Sequence, residues 1–373
     1  MKTIEFVKEK GVDCLTEDLG IDVKRYDNGL IVLNYNQIES PKANPIVMEC
    51  RALILDNNFE IVSRSFDRFF NLGENGTTVD VPNSVVMEKA DGSLINVYWN
   101  RIDDRWEIAT RKSAFAEVPH ITGGTFREKI LDGLKCTEEE FQEKCTAHLQ
   151  KGFTYIFEFI GSINRHVTPY GESEMVLLAI RDVSTGEYHD AAIVLENLAQ
   201  HFNNIRLPNL FDFSDEQQMH EAISQLPALE EGYVVLNKIT GERIKVKNPS
   251  FLAIFNLRMN GVPSIPRIIH LVVENDHDEY LLYFPEDYGL FEPWIKACVR
   301  VKEELRIAYN EVKHIEDQKE FALLVKDHYY SSIMFTCKKY KIDTETAFNQ
   351  AALSNKETLL IKNRVLHDGY QLK

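Results

Sequence analysis

The chain has 373 residues, of which 44% are hydrophobic, and this length and composition suit a globular protein of two domains. Its formal net charge of −16 argues against broad, non-specific binding to nucleic acid, although a local basic track is still compatible with it. No uninterrupted apolar run approaches the ~18 residues that a membrane-spanning helix needs, so we predict a soluble protein with no membrane contact.

The first two thirds of the chain, residues 1–256, show mixed strand and helix patterns. Runs rich in β-branched and aromatic residues and bounded by Asn, Asp and Gly predict strands. These runs are Leu30–Tyr35, Ala52–Leu55, Ser93–Trp99, Tyr155–Ile160, Met175–Ile180, Gly232–Leu236 and Arg243–Lys247. A helical region is predicted over 126–149. We therefore expect one α+β domain with a mixed or antiparallel sheet.

The last third, residues 257–373, changes to a helical periodicity. Residues 259–266, Met-Asn-Gly-Val-Pro-Ser-Ile-Pro, are typical of a domain boundary. Pro293 suits a helix start, and apolar residues follow it at spacings of three and four. Further amphipathic segments are predicted near 317–328, 329–340, 343–353 and 356–366. The pattern predicts an all-α C-terminal domain.

The segment Lys89-Ala90-Asp91-Gly92-Ser93 follows the apolar run Val85-Val86-Met87. A lysine between the end of a buried strand and a glycine turn can be partly desolvated. Desolvation lowers the pKa of an amine, and a neutral amine is a nucleophile. An ordinary Asp-Gly hairpin turn with a solvated lysine is the alternative interpretation.

Two acidic residues lie at strand positions. In Tyr155–Ile160, Glu158 falls on the same face as Ile156 and Ile160, so its carboxylate needs a partner. That partner is a structural arginine, a ribose hydroxyl or a metal ion. Glu231 precedes the apolar run Gly232-Tyr233-Val234-Val235, where a solvated strand end is the simpler interpretation.

Several cations interrupt this acidic region. Arg243, Lys245 and Lys247 alternate along one strand, so they share a face, either as a phosphate track or as a guarded edge strand. The other cations lie at Arg51, at Arg64 and Arg68 around Phe66, and at Arg111-Lys112 after a strand. They place positive charge on both sides of Lys89 in sequence.

Taken together, these segments resemble the covalent nucleotidyltransferases, and most closely the bacteriophage RNA ligases of the RNA ligase 1 type, which repair tRNA. The stretches that carry the resemblance are Glu49-Cys50-Arg51, Phe69-Phe70-Asn71-Leu72, Lys89-x-Asp91-Gly92-Ser93, Phe157-Glu158-Phe159, Asn164-Arg165, Glu231-Gly232-Tyr233-Val234 and Lys245-x-Lys247. They span about residues 35–250. The resemblance implies an adenylyltransferase domain over 1–256 and makes the helical domain over 257–373 a candidate for RNA specificity.

The resemblance also implies roles for single residues. Lys89 would be the adenylylated nucleophile, with Lys245 and Lys247 acting on the phosphates as further catalytic residues. The implied ATP contacts are Tyr35, Arg51, Arg68, Glu88, Lys89, Gly92, Arg111, Lys112, Glu158, Lys245 and Lys247. Glu231, and Asp91 beside it, would serve a Mg²⁺ (or Mn²⁺) ion directly or through water. The phosphate contact could be either Arg111 or Lys112.

The implied reaction joins 5′-phosphate and 3′-hydroxyl RNA ends through lysyl-AMP and RNA-adenylate intermediates. The implied partners are ATP and RNA, with nicked tRNA as the expected substrate, and the implied protein is a monomer. Six scattered cysteines without a Cys-x-x-Cys pair indicate reduced thiols, and so a cytoplasmic location, in the host cytoplasm if the chain is phage-encoded. The chain departs from the family at Arg68, where a lysine is usual, and at Phe251, where a tyrosine is usual.

Other functions share parts of this pattern. A capping guanylyltransferase or a DNA ligase uses the same lysyl-nucleotide chemistry, but those families usually continue into an OB-fold β-barrel rather than helices. A non-catalytic RNA-binding protein would not need the lysines and glutamates together. A metabolic enzyme with an unrelated Asp-Gly turn would not depend on Lys89.

The first prediction concerns the nucleophile. Lys89→Ala should form no covalent AMP adduct while the protein stays folded. Lys89→Arg should fail equally, because a guanidinium stays protonated and is not a nucleophile. Radiolabelled ATP followed by denaturing electrophoresis measures the adduct, and circular dichroism checks the fold. An adduct that persists on either variant would contradict the assignment.

Overall fold

The computed structural model describes residues 1–120, 123–258 and 263–371, and the chain divides into two compact units, Met1–Phe255 and Asn256–Lys373. Part of the predicted boundary segment 259–266 lies outside the described residues. Among the helices that are described, none combines the length and the apolar character needed to cross a bilayer. All six cysteines are free thiols.

Unit 1 contains three sheets. Their strands are β1 (Ile21–Arg25), β2 (Ile31–Tyr35), β3 (Leu53–Leu55), β4 (Ile61–Ser63), β5 (Ser84–Glu88), β6 (Ser93–Asn100), β7 (Arg105–Thr110), β8 (Phe153–Ile160), β9 (Glu174–Asp182), β10 (Tyr188–His189), β11 (Ile205–Arg206), β12 (Leu210–Phe211), β13 (Gly232–Asn237) and β14 (Arg243–Lys247). The helices of unit 1 are α1 (Lys2–Lys10), α2 (Cys14–Leu19), α3 (Pro45–Glu49), α4 (Phe126–Leu134), α5 (Glu138–His148), α6 (Ala191–His201) and α7 (Glu216–Ser224).

The three sheets have the strand orders β1-β2-β3-β4, β10-β9-β8-β6-β7 with β11 beside β9, and β12-β5-β13-β14. Neighbouring strands are antiparallel except for β11, which runs parallel to β9. Each sheet packs its apolar side chains against helices: the first against α1 to α3, the second against α4 to α6, and the third against α7. The predicted α+β class with mixed and antiparallel sheets is confirmed.

The β5–β6 connection places the candidate nucleophile. Strand β5 belongs to the third sheet and ends at Glu88, whereas β6 begins the second sheet at Ser93. Residues 89–92 therefore connect one sheet to the other, and we call this segment the crossing. On one side β5 pairs with β13, and on the other β6 pairs with β8, with Leu94 opposite Glu158. The two predicted acidic segments thus reach opposite sides of the same short crossing.

The predicted helical region at 126–149 forms two helices, α4 and α5. Each begins with a capping box, in which a threonine side chain and a glutamate three residues later satisfy the first backbone N–H groups. Lys135 adopts a left-handed conformation with φ of 53° and ends α4. The helical region that the periodicity predicts over 126–149 is therefore interrupted, and a second helix begins after Thr137.

Helix α8 (Pro249–Arg258) spans the boundary between the units, and the remaining helices belong to unit 2. They are α9 (Ile265–Val273), α10 (His277–Tyr283), α11 (Tyr288–Val312), α12 (Gln318–Val325), α13 (Ser331–Tyr340), α14 (Thr344–Gln350) and α15 (Leu353–Asp368). Within 263–371 the described backbone forms helices and turns without a strand, which confirms the all-α prediction for this region.

The expectation that Pro293 starts a helix is wrong. Helix α11 begins at Tyr288, and Pro293 lies inside it. Proline removes one intrahelical donor but keeps a helical φ. The buried side chains of Phe291, Trp294 and Ala297 pack into the core on both sides of the proline and hold the helix together across it.

Candidate active site

Lys89 lies where the third sheet ends. Its backbone N–H donates to the carbonyl oxygen of Gly232 at 2.9 Å, which joins the crossing to the start of β13. In the same sheet β14 pairs with β13, so that Gly232 is opposite Lys247 and Val234 is opposite Lys245. The register of these three strands brings Glu231 and the two lysines of β14 next to Lys89.

A carboxylate held between two lysines forms the centre of this site. The Nζ of Lys89 lies 2.6 Å from Oε2 of Glu231, and the Nζ of Lys247 lies 3.0 Å from Oε1 of the same carboxylate. Glu231 is only 7% exposed, so these ion pairs are shielded from bulk water. Burial by itself would raise the pKa of Glu231, but the two lysines outweigh it and the pKa is lowered.

The charge state of Lys89 differs from the sequence-based expectation. Burial lowers the pKa of Lys89, as expected, but the carboxylates of Glu231 and Glu158 and the hydrogen bond to Glu231 outweigh burial. The net result is a raised pKa, so the expectation of an amine made neutral by desolvation is wrong for this state. Lys89 is therefore an ammonium ion, paired with Glu231 at 2.6 Å.

Glu158 faces Lys89 from the second sheet. Its Oε1 accepts a hydrogen bond from the backbone N–H of Gly92 at 3.2 Å, and a Cβ at Gly92 would overlap the carbonyl oxygen of Phe159. Burial raises the pKa of Glu158 to about 7, and the favourable charges of Lys89 and Arg51 only partly compensate. The partner of the carboxylate in this state is therefore a backbone amide.

Lys245 is a buried cation without a carboxylate partner among the described residues. Its Nζ donates to the carbonyl oxygen of Phe69 at 2.9 Å and lies 4.7 Å from the centre of the Phe69 ring. Burial first, and then the nearby cations of Arg51 and Lys89, lower the pKa of Lys245 to about 6. A carbonyl and a ring do not neutralise an ammonium ion, so an anion is the ligand that this position favours.

Arg51 adds a second poorly compensated cation. Its Nε and Nη1 atoms are buried and have no hydrogen-bond partner, and its guanidinium lies over the rings of Phe66 and Phe69 at 5.9 and 5.1 Å. Burial lowers the pKa of Arg51. Buried polar groups are normally paired, so these two donors are suited to a ligand with several oxygen acceptors.

These side chains line a solvent-open cleft with about 540 Å³ of empty space, a volume that includes part of the open solvent. Its walls combine apolar and aromatic side chains with the charged groups already described. They are Arg51, Phe66, Phe69, Met87, Glu88, Lys89, Ala90, Leu94, Glu158, Leu178, Val234, Arg243 and Lys245. An apolar body with cations at one side suits a nucleoside with phosphates.

Other predicted nucleotide contacts have protein partners in this state. Arg68 pairs with Glu74 at 2.8 Å and lies over the buried ring of Tyr35 at 5.6 Å. Lys112 is 64% exposed and pairs with Asp22 at 3.2 Å. Arg111, in contrast, is near enough to Arg51 for its charge to lower the pKa of that guanidinium. Of the two candidates, the geometry favours Arg111 for a phosphate contact.

Glu88 and Asp91 make structural contacts that the sequence did not predict. Both Glu88 oxygens accept from Arg206, at 2.9 and 3.0 Å. Oδ2 of Asp91 accepts the backbone N–H groups of Val167 and Thr168, each at 2.8 Å. Asp91 thus fastens the loop after β8 to the crossing, and its role as a metal ligand remains a prediction.

Two residues that position Glu88 and Asp91 were not predicted from the sequence. They are Arg206 and Tyr170. The hydroxyl of Tyr170 accepts the N–H of Asp91 at 3.0 Å, while its ring packs beside Ala90, Ile160 and Val176. No local pattern marks either residue, because each one meets the crossing only through long-range folding. Both side chains are half-buried, and neither residue type marks a functional site by itself.

The described side chains offer a divalent cation one or two carboxylates, so its other ligands would have to come from phosphates or water. The described residues contain no group of three His, Cys, Asp or Glu side chains placed to hold a metal ion. Glu231 already has a lysine on each oxygen. Mg²⁺ commonly takes one or two carboxylates and fills its other positions with phosphates and water, and Glu231 and Glu158 fit that pattern.

Comparison with known proteins gives a consistent result. The model of the RNA ligase family matches residues 49–251. A baculovirus protein of Autographa californica nuclear polyhedrosis virus, named "Putative bifunctional polynucleotide kinase/RNA ligase", is 31% identical over 91% of this chain and 50% of its own length. The chain therefore spans half of that relative.

Two further proteins are matched over a larger share of their own length than the baculovirus protein is. The RNA ligase of Rhodothermus phage RM378 is 23% identical over 77% of this chain and 80% of its own length. The solved structure of an archaeal ATP-dependent RNA ligase is 13% identical, with a TM-score of 0.46 over 74% of this chain and 68% of that one.

The second prediction concerns proton uptake. At pH 7.5 Lys245 is largely neutral, because its pKa is about 6, and a bound triphosphate should raise that pKa and draw a proton from the buffer. Calorimetry with a non-hydrolysable ATP analogue, in buffers of different ionisation enthalpy, should show an uptake approaching one proton that disappears near pH 5.

Two variants separate Lys245 from its neighbours. Lys245→Arg should bind the analogue with little proton uptake, since a guanidinium is already charged. Lys247→Arg is the matched control and should keep the uptake, because Lys247 has a carboxylate partner in the free protein. Equal uptake in Lys245→Arg and the parent would contradict the assignment.

Proposed function

The chain belongs to the RNA ligase family, and on that premise we propose that it is an ATP-dependent ligase that joins 5′-phosphate and 3′-hydroxyl RNA ends. The observation that supports this most is the ion-pair chain Lys89–Glu231–Lys247, beside a cleft whose other cations lack carboxylate partners. The site holds a protonated lysine, and among the described residues Arg51 and Lys245 form no ion pair with a carboxylate.

In the proposed first step, the Nζ of Lys89 attacks the α-phosphorus of ATP. A P–N bond forms, the P–O bond to pyrophosphate breaks, and lysyl-AMP remains. Lys89 must lose a proton to attack, so any weakening of its contact with Glu231 favours the reaction. Glu158, on the opposite side of the crossing, is the candidate contact for the ribose.

Negative charge grows on the phosphoryl oxygens during each displacement. Arg51 and Lys245 are held in place before the substrate arrives. Arg51 brings a fixed charge, and Lys245, whose pKa is about 6, gains its charge when a phosphate binds beside it. Charges placed in this way stabilise a transition state. Loss of one such charge typically costs roughly 3 kcal/mol of transition-state stabilisation. Mg²⁺ or Mn²⁺, when bound with ATP, would add positive charge at the phosphates and at Glu231.

In the later steps the AMP moves to an RNA 5′-phosphate, and a 3′-hydroxyl then displaces it and seals the strand. Nicked tRNA is the proposed RNA on the basis of the family resemblance. The monomeric state remains a prediction from that same resemblance, and the cytoplasmic location remains a prediction from the scattered cysteines. The capping guanylyltransferase and DNA ligase alternatives gain no support, because the described part of unit 2 contains no strand from which an OB-fold barrel could be built.

The third prediction tests the reaction class. Intact-protein mass spectrometry after incubation with ATP and Mg²⁺ should show a gain of one AMP, and peptide mapping should place it on Lys89. The same incubation with GTP should give no adduct. Labelling by GTP alone would favour a capping enzyme, and no adduct with either nucleotide would contradict the proposal.

We also propose a division of labour between the two units. The residues of the candidate site lie between Tyr35 and Lys247, inside unit 1, whereas unit 2 carries none of the matched motifs. Lysines and arginines on α11 and α13, such as Arg300 and Lys339, are candidates for an RNA-facing surface. For each of them singly an ordinary surface side chain is the simpler interpretation, and Arg300 already pairs with Asp368 at 2.9 Å.

The fourth prediction tests that division with a chain that ends at Arg258, the last residue of α8. It should still form lysyl-AMP, because the site residues are retained. It should lose its preference for a nicked tRNA anticodon loop over an unstructured RNA of equal length. The measurement is the ratio of sealing rates on the two RNAs. An unchanged ratio in a folded truncation would contradict a specificity role for unit 2.

A further inference from the structure

The N-terminus of helix α1 is capped by a carboxylate from another helix. The backbone N–H groups of Lys2 and Thr3 donate to the two oxygens of Glu49, at 3.2 and 2.8 Å, whereas the N-cap residue Met1 forms no side-chain cap hydrogen bond. Free N–H groups and the helix dipole both favour a carboxylate at this end of a helix. Glu49 ends α3, so it joins the first helix to the segment that carries Arg51.

The hydroxyl group of Thr3 adds a third donor to the same carboxylate. Thr3 is completely buried, and its Oγ1 donates to Oε2 of Glu49 at 2.7 Å. The Sγ of Cys50 lies 3.7 Å from that Oγ1. Burial raises the pKa of the Cys50 thiol to about 12, so the thiol stays protonated and is the donor to Thr3. A chain of hydrogen bonds therefore connects α1 with the two residues that precede Arg51.

The backbone around Arg51 is also where other implied nucleotide contacts meet. The N–H of Tyr35 donates to the carbonyl oxygen of Cys50 at 2.7 Å, and the N–H of Arg68 donates to the carbonyl oxygen of Met48 at 2.7 Å. Tyr35, Arg51 and Arg68 are far apart in the chain, yet all three depend on this short piece of backbone. A displacement of that backbone would therefore reach the nucleotide cleft.

Ala52, directly after Arg51, holds an unfavourable backbone conformation. Its φ is 54°, and its side chain is completely buried. Residues other than glycine rarely adopt this left-handed conformation, and it persists where the surrounding contacts impose it. The hydrogen bonds of Thr3 and Glu49 are contacts of this kind on the N-terminal side of Arg51. They are suited to keep the arginine in one orientation.

We propose that Thr3 and Glu49 are positioning residues that hold the Arg51 guanidinium in place for the phosphates of ATP. The proposal rests on the proposed ligase function and gives the first helix a part in it. Arg51 lines the cleft, and Thr3 and Glu49 are not among the described residues that do. A guanidinium forms paired hydrogen bonds only in a defined orientation, and two donors of Arg51 are buried without an acceptor. A merely structural role is the alternative, since α1 also packs Val7 against the first sheet.

The fifth prediction concerns Thr3→Val, which removes the hydroxyl and keeps a side chain of similar size. It should weaken the binding of a non-hydrolysable ATP analogue by about fivefold, a part of the roughly tenfold or more that a hydrogen bond to a charged group contributes. Thr3→Ser, which keeps the hydroxyl, should bind like the parent. Calorimetry on the full-length protein measures the affinity, and circular dichroism checks the fold.

Thr16→Val is the matched control. The Thr16 hydroxyl donates to the carbonyl oxygen of Ile21 at 2.8 Å, between α2 and β1, so its removal costs one hydrogen bond of the same unit without touching Glu49. This variant should keep the affinity of the parent. An equal loss of affinity in Thr16→Val and Thr3→Val, or no loss in Thr3→Val, would overturn the proposal.

A double-mutant cycle separates positioning from a merely structural role. In an Arg51→Ala background Thr3→Val should change the affinity by less than about twofold, because the group that Thr3 positions is gone. The same fold-loss with and without Arg51 would assign Thr3 to stability alone and overturn the proposal. If Thr3→Val does not fold, Glu49→Gln takes its place in the cycle with the same expected outcomes. Failure of the ligase function shows separately, as a parent protein that binds the analogue and forms no lysyl-AMP from ATP.

Discussion

The buried carboxylate of Glu231 is the contact on which the rest of the site depends. It lies at the start of β13, between a lysine that follows β5 and a lysine that ends β14, so it ties together three strands of one sheet. Two ammonium groups this close would repel each other without it. Removal of one partner from a buried ion pair leaves a charge uncompensated. A substitution of any one of the three residues is therefore expected to destabilise the positions of the other two.

Beyond that triad the site holds more positive charge than the protein neutralises. Lys245 is held by a carbonyl and a ring, and two donors of Arg51 are buried without an acceptor. Such groups cost stability in the free protein, and a polyanionic substrate removes the cost when it binds. In a chain with a net charge of −16, this local excess makes the cleft selective for anions.

The crossing between the two sheets, residues 89–92, fixes where Lys89 lies relative to Glu231 and Glu158. Backbone hydrogen bonds to Gly232, Tyr170 and Glu158 hold the short segment 89–92 from both sides. The side chain of Asp91 then fastens the loop that follows β8. Because strands on both sides supply these contacts, the backbone of residues 89–92 is held in place.

The sequence by itself predicted seven of the strands, the helical C-terminal region and the candidate site residues, because these depend on local periodicity and on short motifs. It did not predict strands such as β1, β4 and β12. It did not determine the charge on Lys89. Burial acts on that amine as expected, but Glu231, 142 residues away, reverses the direction of the pKa shift. Long-range pairing likewise decided that Arg206 holds Glu88, and that Arg111 rather than Lys112 lies near Arg51. Only the tertiary structure brings such partners together, since electrostatic effects follow distance in space rather than distance along the chain.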